Sequence, residues 1–91
     1  MNDKNKRLFK AFLSCETIND VSEFLDDICT YTEIEAMADR LWVATLLSKG
    51  HTYDYIEGKT SISSATISRV NRSLIKGTGY KRVLSALDQS E

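Results

Sequence analysis

The 91-residue chain has no proline, 42% hydrophobic and 27% charged residues, and a formal net charge of −1, which fits one small globular domain and leaves no room for a second. No stretch approaches the roughly 20 apolar residues of a membrane span, and residues 1–10 are polar and basic with no apolar signal-peptide run behind them, so the expected location is cytoplasmic. Cys15, Cys29 and the single His51 are too few for a structural zinc site or a disulfide framework, and both cysteines read as small packing residues.

Helical spacing of apolar residues recurs along the chain, while strict alternation over a strand's length does not, so the fold class is all-α with five or six helices. The first is predicted over Lys4 to Ser14, with Leu8, Phe9, Phe12 and Leu13 on one stripe. The second runs from about Asn19 to Thr30, its apolar face Val21, Phe24, Leu25 and Ile28 and its wet face Glu23, Asp26 and Asp27. Thr32 and Glu35 have the spacing of a capping box, which would open the longest helix. Ile34, Met37, Ala38, Leu41, Trp42, Thr45 and Leu46 are expected to form that helix's broad buried face. Gly50 is placed to take the left-handed conformation that stops it. Thr52 can then cap a helix through about Gly58, Lys59 to Ser63 is a polar connection, and Ser64 to Lys76 is helical, with Gly77 and Gly79 expected to end it. A last amphipathic stretch, Tyr80 to Asp88, carries Val83, Leu84 and Leu87. No repeat, low-complexity segment or linker is visible, so residues 1–91 read as one domain.

The small net charge hides a polarised distribution. Residues 1–57 carry six cations against eleven acids, whereas residues 58–87 carry Lys59, Arg69, Arg72, Lys76, Lys81 and Arg82 and no acid. Such asymmetry points to a polyanion-binding face; the plainer alternative is a solvated surface on which charges cluster. Within this region Ile56 to Arg69 reads I-E-G-K-T-S-I-S-S-A-T-I-S-R. Ile56 can anchor one helix and Ile62 the corner, Ser63 can cap the next helix, and Ile67 with Val70 would face the core. Small polar residues at the start of that helix allow close approach to base edges, while surrounding arginines and lysines neutralise phosphates. The pattern is that of a helix-turn-helix over residues 52–76, with Ser64 to Lys76 as the recognition helix. The candidate DNA-binding residues are Lys59, Ser63, Ser64, Ala65, Thr66, Ser68, Arg69, Arg72 and Lys76. An ordinary helical hairpin would share the skeleton.

The chain resembles the Trp repressor superfamily, and within it the small TrpR-related YerC/YecD subgroup. The resemblance lies in Thr32, Glu33, Ile34 and Glu35, in Asp39 and Arg40, in Leu46 through Gly50, and above all in Ala65, Thr66, Ile67, Ser68 and Arg69 with Asn71, Ser73 and Leu74. It covers about Tyr31 to Leu87. It implies an all-helical homodimer whose N-terminal helices interlock, with residues 1–50 as the dimerisation helices and residues 80–88 as a C-terminal helix. Interlocking would bury a shared core that so short a chain forms only marginally alone. Two recognition helices about one DNA turn apart, roughly 34 Å, imply a palindromic double-stranded operator. The function implied is a transcription regulator, a repressor that occludes its promoter.

The resemblance also implies a small-molecule corepressor, held between arginines at the positions of Arg40 and Arg69. Whether tryptophan, another small molecule or none binds stays open, because Val70 stands where the repressor has glycine and its side chain would project beside the ligand, which argues against tryptophan. Arg40 could instead pair with Asp39 or Glu35, and Arg69 could contact a phosphate. Other departures are Glu57 where a small residue is usual, Ser61 for the turn glycine, and a one-residue contraction between Gly50 and the motif. Asp54 and Glu57 replace basic residues of the repressor, while Tyr53 and Tyr55 could offer hydroxyls to phosphates or join the core.

Gly58, Lys59 and Thr60 imitate the tail of a phosphate-binding loop, but Tyr53 stands where that loop needs glycine. His51 reads as a surface or helix-end residue and Trp42 as a packing residue, and no nucleophile–base pair is apparent, so no enzyme activity, metal or cofactor is expected. The rival to DNA binding is a helical interaction module that docks an acidic partner through the same basic end. A docking face would more often expose a large apolar anchor where this chain has small residues.

Overall fold

The computed structural model describes residues 1–90, which form six α-helices: α1 (Asp3–Ser14), α2 (Ile18–Ile28), α3 (Tyr31–Ser48), α4 (Tyr53–Thr60), α5 (Ser64–Lys76) and α6 (Gly79–Ser90). Five of them begin where a short polar side chain can take an amide that the helix leaves unpaired. Asn2 accepts from the Asn5 N–H at 2.7 Å, Thr52 from Tyr55 at 3.2 Å and Ser63 from Thr66 at 3.2 Å. Thr17 and Asp20 form a reciprocal box at the start of α2, which the sequence reading did not single out.

The box that opens α3 is Thr30 with Glu33, not Thr32 with Glu35. The Thr30 hydroxyl accepts from the Glu33 N–H at 3.1 Å, and the Glu33 carboxylate accepts from the Thr30 N–H at 2.8 Å. The sequence offers the same Thr-x-x-Glu spacing twice. Because α2 stops at Ile28 with Cys29 extended, the chain re-enters helix at Tyr31 and leaves Thr30 outside as the cap.

These two boxes make the stability pH-dependent. Amide hydrogen bonds from Glu16 and Thr17 hold the Asp20 carboxyl below its ordinary pKa, and the Thr30 N–H together with its hydroxyl does the same for Glu33. A lowered folded-state pKa contributes stability that is full above the ordinary carboxylate range, about pH 4–4.5, and is lost as pH falls through the lowered value. The paired change Asp20→Asn and Glu33→Gln is therefore expected to flatten the acid limb of a Tm-against-pH curve. An acid limb as steep as that of the parent would show that these caps do not set it.

The chain comprises two compact units, Met1–Ile34 and the remainder from Glu35, with the boundary inside α3. In the first, Phe12 of α1 meets Phe24 of α2 edge to face, ring centroids 5.3 Å apart. Neither helix contains a buried residue. Of the predicted stripes, Leu8, Val21, Phe24 and Leu25 are half-buried, whereas Phe9, Phe12 and Ile28 are exposed and Leu13 is 84% exposed.

The second unit holds the core. Val43, Ala44 and Leu46 of α3, Ile56 of α4, Ile67 and Val70 of α5 and Leu84 of α6 are buried together, with Leu41, Leu47, Tyr53, Ile62, Leu74 and Tyr80 packed around them. The predicted buried face of α3 is corrected accordingly: Met37 and Ala38 are exposed, Trp42 is 53% exposed, and Val43 and Ala44 take the interior. Gly50, at φ +91°, ends α3 as expected. The His51 N–H bonds to the Leu46 carbonyl at 3.2 Å and the Gly50 N–H to that of Leu47 at 3.0 Å, the paired bonds of a Schellman motif. Gly77 closes α5 in an extended conformation, φ −95° and ψ 178°, but Gly79 opens α6 instead of ending α5.

Candidate nucleic-acid interface

The turn between α4 and α5 is held by one side chain. The Thr60 hydroxyl donates to the Ile56 carbonyl at 2.6 Å and accepts from the Ile62 N–H at 3.2 Å. Between them Ser61 adopts φ +63°, ψ 12°, so the left-handed turn survives without its usual glycine. An L-residue there costs about 1–2 kcal/mol, and glycine gives back part of that gain through a freer unfolded chain. Ser61→Gly is therefore expected to stabilise the protein by about 0.5–1 kcal/mol, seen as a rise in Tm. An unchanged or lower Tm would contradict a strained turn.

With the turn fixed, α5 is presented with its faces separated. Ile67 and Val70 are buried and Leu74 is half-buried, while Ala65, Arg69, Arg72 and Lys76 are exposed and recur at i, i+4, i+7 and i+11, one stripe opposite the core. Ser64 is exposed and Ser68 half-buried beside that stripe. Ser63 accepts from the Thr66 N–H and donates to Thr66 Oγ1 at 3.1 Å, so its hydroxyl is committed to the cap. Helices α1 to α4 each have an acid in the first turn, Asp3, Asp20, Glu33 and Asp54, whereas α5 has none. The positive end of the α5 dipole is thus left uncompensated among small side chains, an arrangement that suits an anion such as a backbone phosphate.

Around α4, Tyr53 is half-buried against the core and Tyr55 is exposed. The His51 ring stacks on Tyr55 with centroids 4.2 Å apart, and Lys59 Nζ lies 5.9 Å from the centre of the same ring. This column was not foreseen, although the spacing of four between 51, 55 and 59 is its signal. Asp54 and Glu57 are exposed on α4. Arg40 on α3 and Arg69 on α5 are both exposed, and Val70 is 2% exposed, its side chain spent on the core. Among the described residues, no helix is long and apolar enough to cross a membrane.

Comparison with known proteins agrees with this arrangement. The family model described as Trp repressor protein matches residues 3–88. The chain is 42% identical over 86 residues to the uncharacterized protein YerC of Bacillus subtilis (strain 168), covering 93% of this chain and 83% of that one. Among solved structures, a TrpR-like protein from Eubacterium eligens ATCC 27750 superposes with TM-score 0.91 at 42% identity, covering 96% of this chain and 91% of the other. A second, from Staphylococcus aureus, gives TM-score 0.92 at 38% identity, covering 97% and 89%. An all-helical chain whose match to one family model runs nearly end to end belongs to that family, the Trp repressor family, a family of regulators and not of enzymes.

Proposed function

We propose that the protein is a homodimeric transcription regulator that reads a palindromic double-stranded operator through α5 and represses by occluding the promoter. The observation that carries the reading is the exposed face of α5: a tip of small residues with no acid in the first turn, continued by Arg69, Arg72 and Lys76. Small side chains admit base edges and the cations meet phosphates on either side. Support for the dimer comes from the first unit, whose two helices contain no buried residue while Leu13 and Ile18 stand 84% and 90% exposed. Two short helices cannot stay ordered on so little burial, and a second copy would cover them. The reading includes operator binding without tryptophan, because Val70 stands where the resembled repressor has glycine.

Selection of the purified protein against a random duplex pool at near-physiological salt, with and without L-tryptophan, tests all three parts. The expected product is an inverted repeat with half-sites about one turn apart, enriched equally in both arms. Weak, salt-sensitive binding with no enriched sequence would overturn sequence-specific recognition. Enrichment only with tryptophan would overturn the ligand-free reading alone.

A further inference from the structure

We propose that α1 and α2 carry an electrostatic code for pairing two copies of the chain, in which the basic α1 of one copy lies along the acidic α2 of the other. The inference rests on the dimer proposed above and deepens it by naming which helix meets which. Helix α1 carries Lys4, Lys6, Arg7 and Lys10 against Asp3 alone, a net of +3, while α2 carries Asp20, Glu23, Asp26 and Asp27 and no cation, a net of −4. Every one of these side chains is exposed.

On α1, Lys6 and Lys10 adjoin Phe9 and Leu13 around the helix; on α2, Asp20 and Asp27 adjoin Phe24. Charge therefore borders apolar surface that a single chain leaves partly in water. A copy that covers the apolar surface brings the bordering charges together at the rim, where they select partner and register more than they add affinity. Laying α1 on α1 or α2 on α2 would oppose like charges, and such repulsion excludes the wrong pairing. Crossed pairing opposes unlike charges, and a two-fold axis makes that contact twice. The occupant is a second copy because Leu13 and Ile18 stay 84% and 90% exposed on one chain, and a copy brings a net of +3 on its α1 to a net of −4 on the other's α2. Within the chain, α1 and α2 meet at Phe12 and Phe24, and Lys4, Arg7, Leu8 and Ala11 border a hollow with Phe24 and Ile28, which leaves Lys6, Lys10, Phe9 and Leu13 turned away from it.

The test uses the full chain and two charge-reversed variants, one with Lys6→Glu, Arg7→Glu and Lys10→Glu, the other with Glu23→Lys, Asp26→Lys and Asp27→Lys. Sedimentation at low salt should show each variant alone pairing at least about tenfold more weakly than the parent. An equimolar mixture should form heterodimers as tight as the parent dimer, because both crossed contacts again oppose unlike charges. The parent dimer itself should weaken between about 50 and about 500 mM salt. A statistical mixture of homodimers and heterodimers, or a parent dimer indifferent to salt, overturns the code and leaves the dimer standing. A parent chain that is monomeric at every concentration overturns the dimer as well. The salt series needs no variant, so it decides the matter even where a reversed chain fails to fold.

Discussion

Ile67→Ala should destabilise the protein by about 2–5 kcal/mol, because it removes three carbons from a site with no solvent access and leaves a cavity that the neighbours fill only in part. Ile67 is 0% exposed, at the centre of the cluster that joins α5 to Val43 of α3, Ile56 of α4 and Leu84 of α6. Small domains have total stabilities of about 5–15 kcal/mol, so a large share of the folded population's margin disappears. The functional consequence follows from the same geometry. The exposed stripe of α5 is aimed only because its opposite face is anchored, and operator affinity should fall together with stability. Ile67→Val, which keeps most of the volume, should cost only about 0.5–1.5 kcal/mol. Equal losses from the two substitutions, measured by urea or thermal unfolding, would mean that Ile67 does not pack as described.

On DNA, residues at the two ends of α5 should behave differently. Thr66→Ala and Ser68→Ala are expected to cost about 1–3 kcal/mol at particular base pairs where the contact is direct, and much less on random duplex. Lys76 lies ten residues beyond Thr66 and eight beyond Ser68, about 15 and about 12 Å along the helix axis, too far along to share the same base pairs. Lys76→Ala should therefore weaken specific and random DNA alike and reduce the slope of log K against log salt by about 0.9, the signature of one lost phosphate contact. Titrations on operator and scrambled duplexes at several salt concentrations separate the two classes. Equal loss on both duplexes for all three variants would overturn the assignment of Thr66 and Ser68 as base readers. A Thr66 effect confined to stability would instead point to its hydrogen bond with Ser63, 3.1 Å between the hydroxyl oxygens.

Helix ends and the helix-turn-helix pattern follow from local chemistry. Ser63 and Lys76 bound α5 in the structure as they do in the sequence, because a serine hydroxyl and a following glycine act within one turn of the backbone. Thr52 and Gly50 set their helix ends for the same reason. The helix-turn-helix was legible because Ile56, Ile62, Ile67 and Val70 alternate with polar residues at helical spacing, so only one face of each helix can enter the core.

Other features depend on packing between helices. Apolar residues lie nearly all round α3, so periodicity cannot choose a face, and only the packing of α4, α5 and α6 selects Val43, Ala44 and Leu46 over Met37 and Trp42. The two Thr-x-x-Glu boxes before α3 are chemically equivalent, and the path of the chain out of α2 chose the earlier one. Ser61 takes a left-handed conformation that its own side chain disfavours because Ile56 and Ile62 must both reach the core across a short turn. Local preferences are worth about 1 kcal/mol each, and where burial of several large side chains opposes them, or where two of them tie, packing determines the outcome.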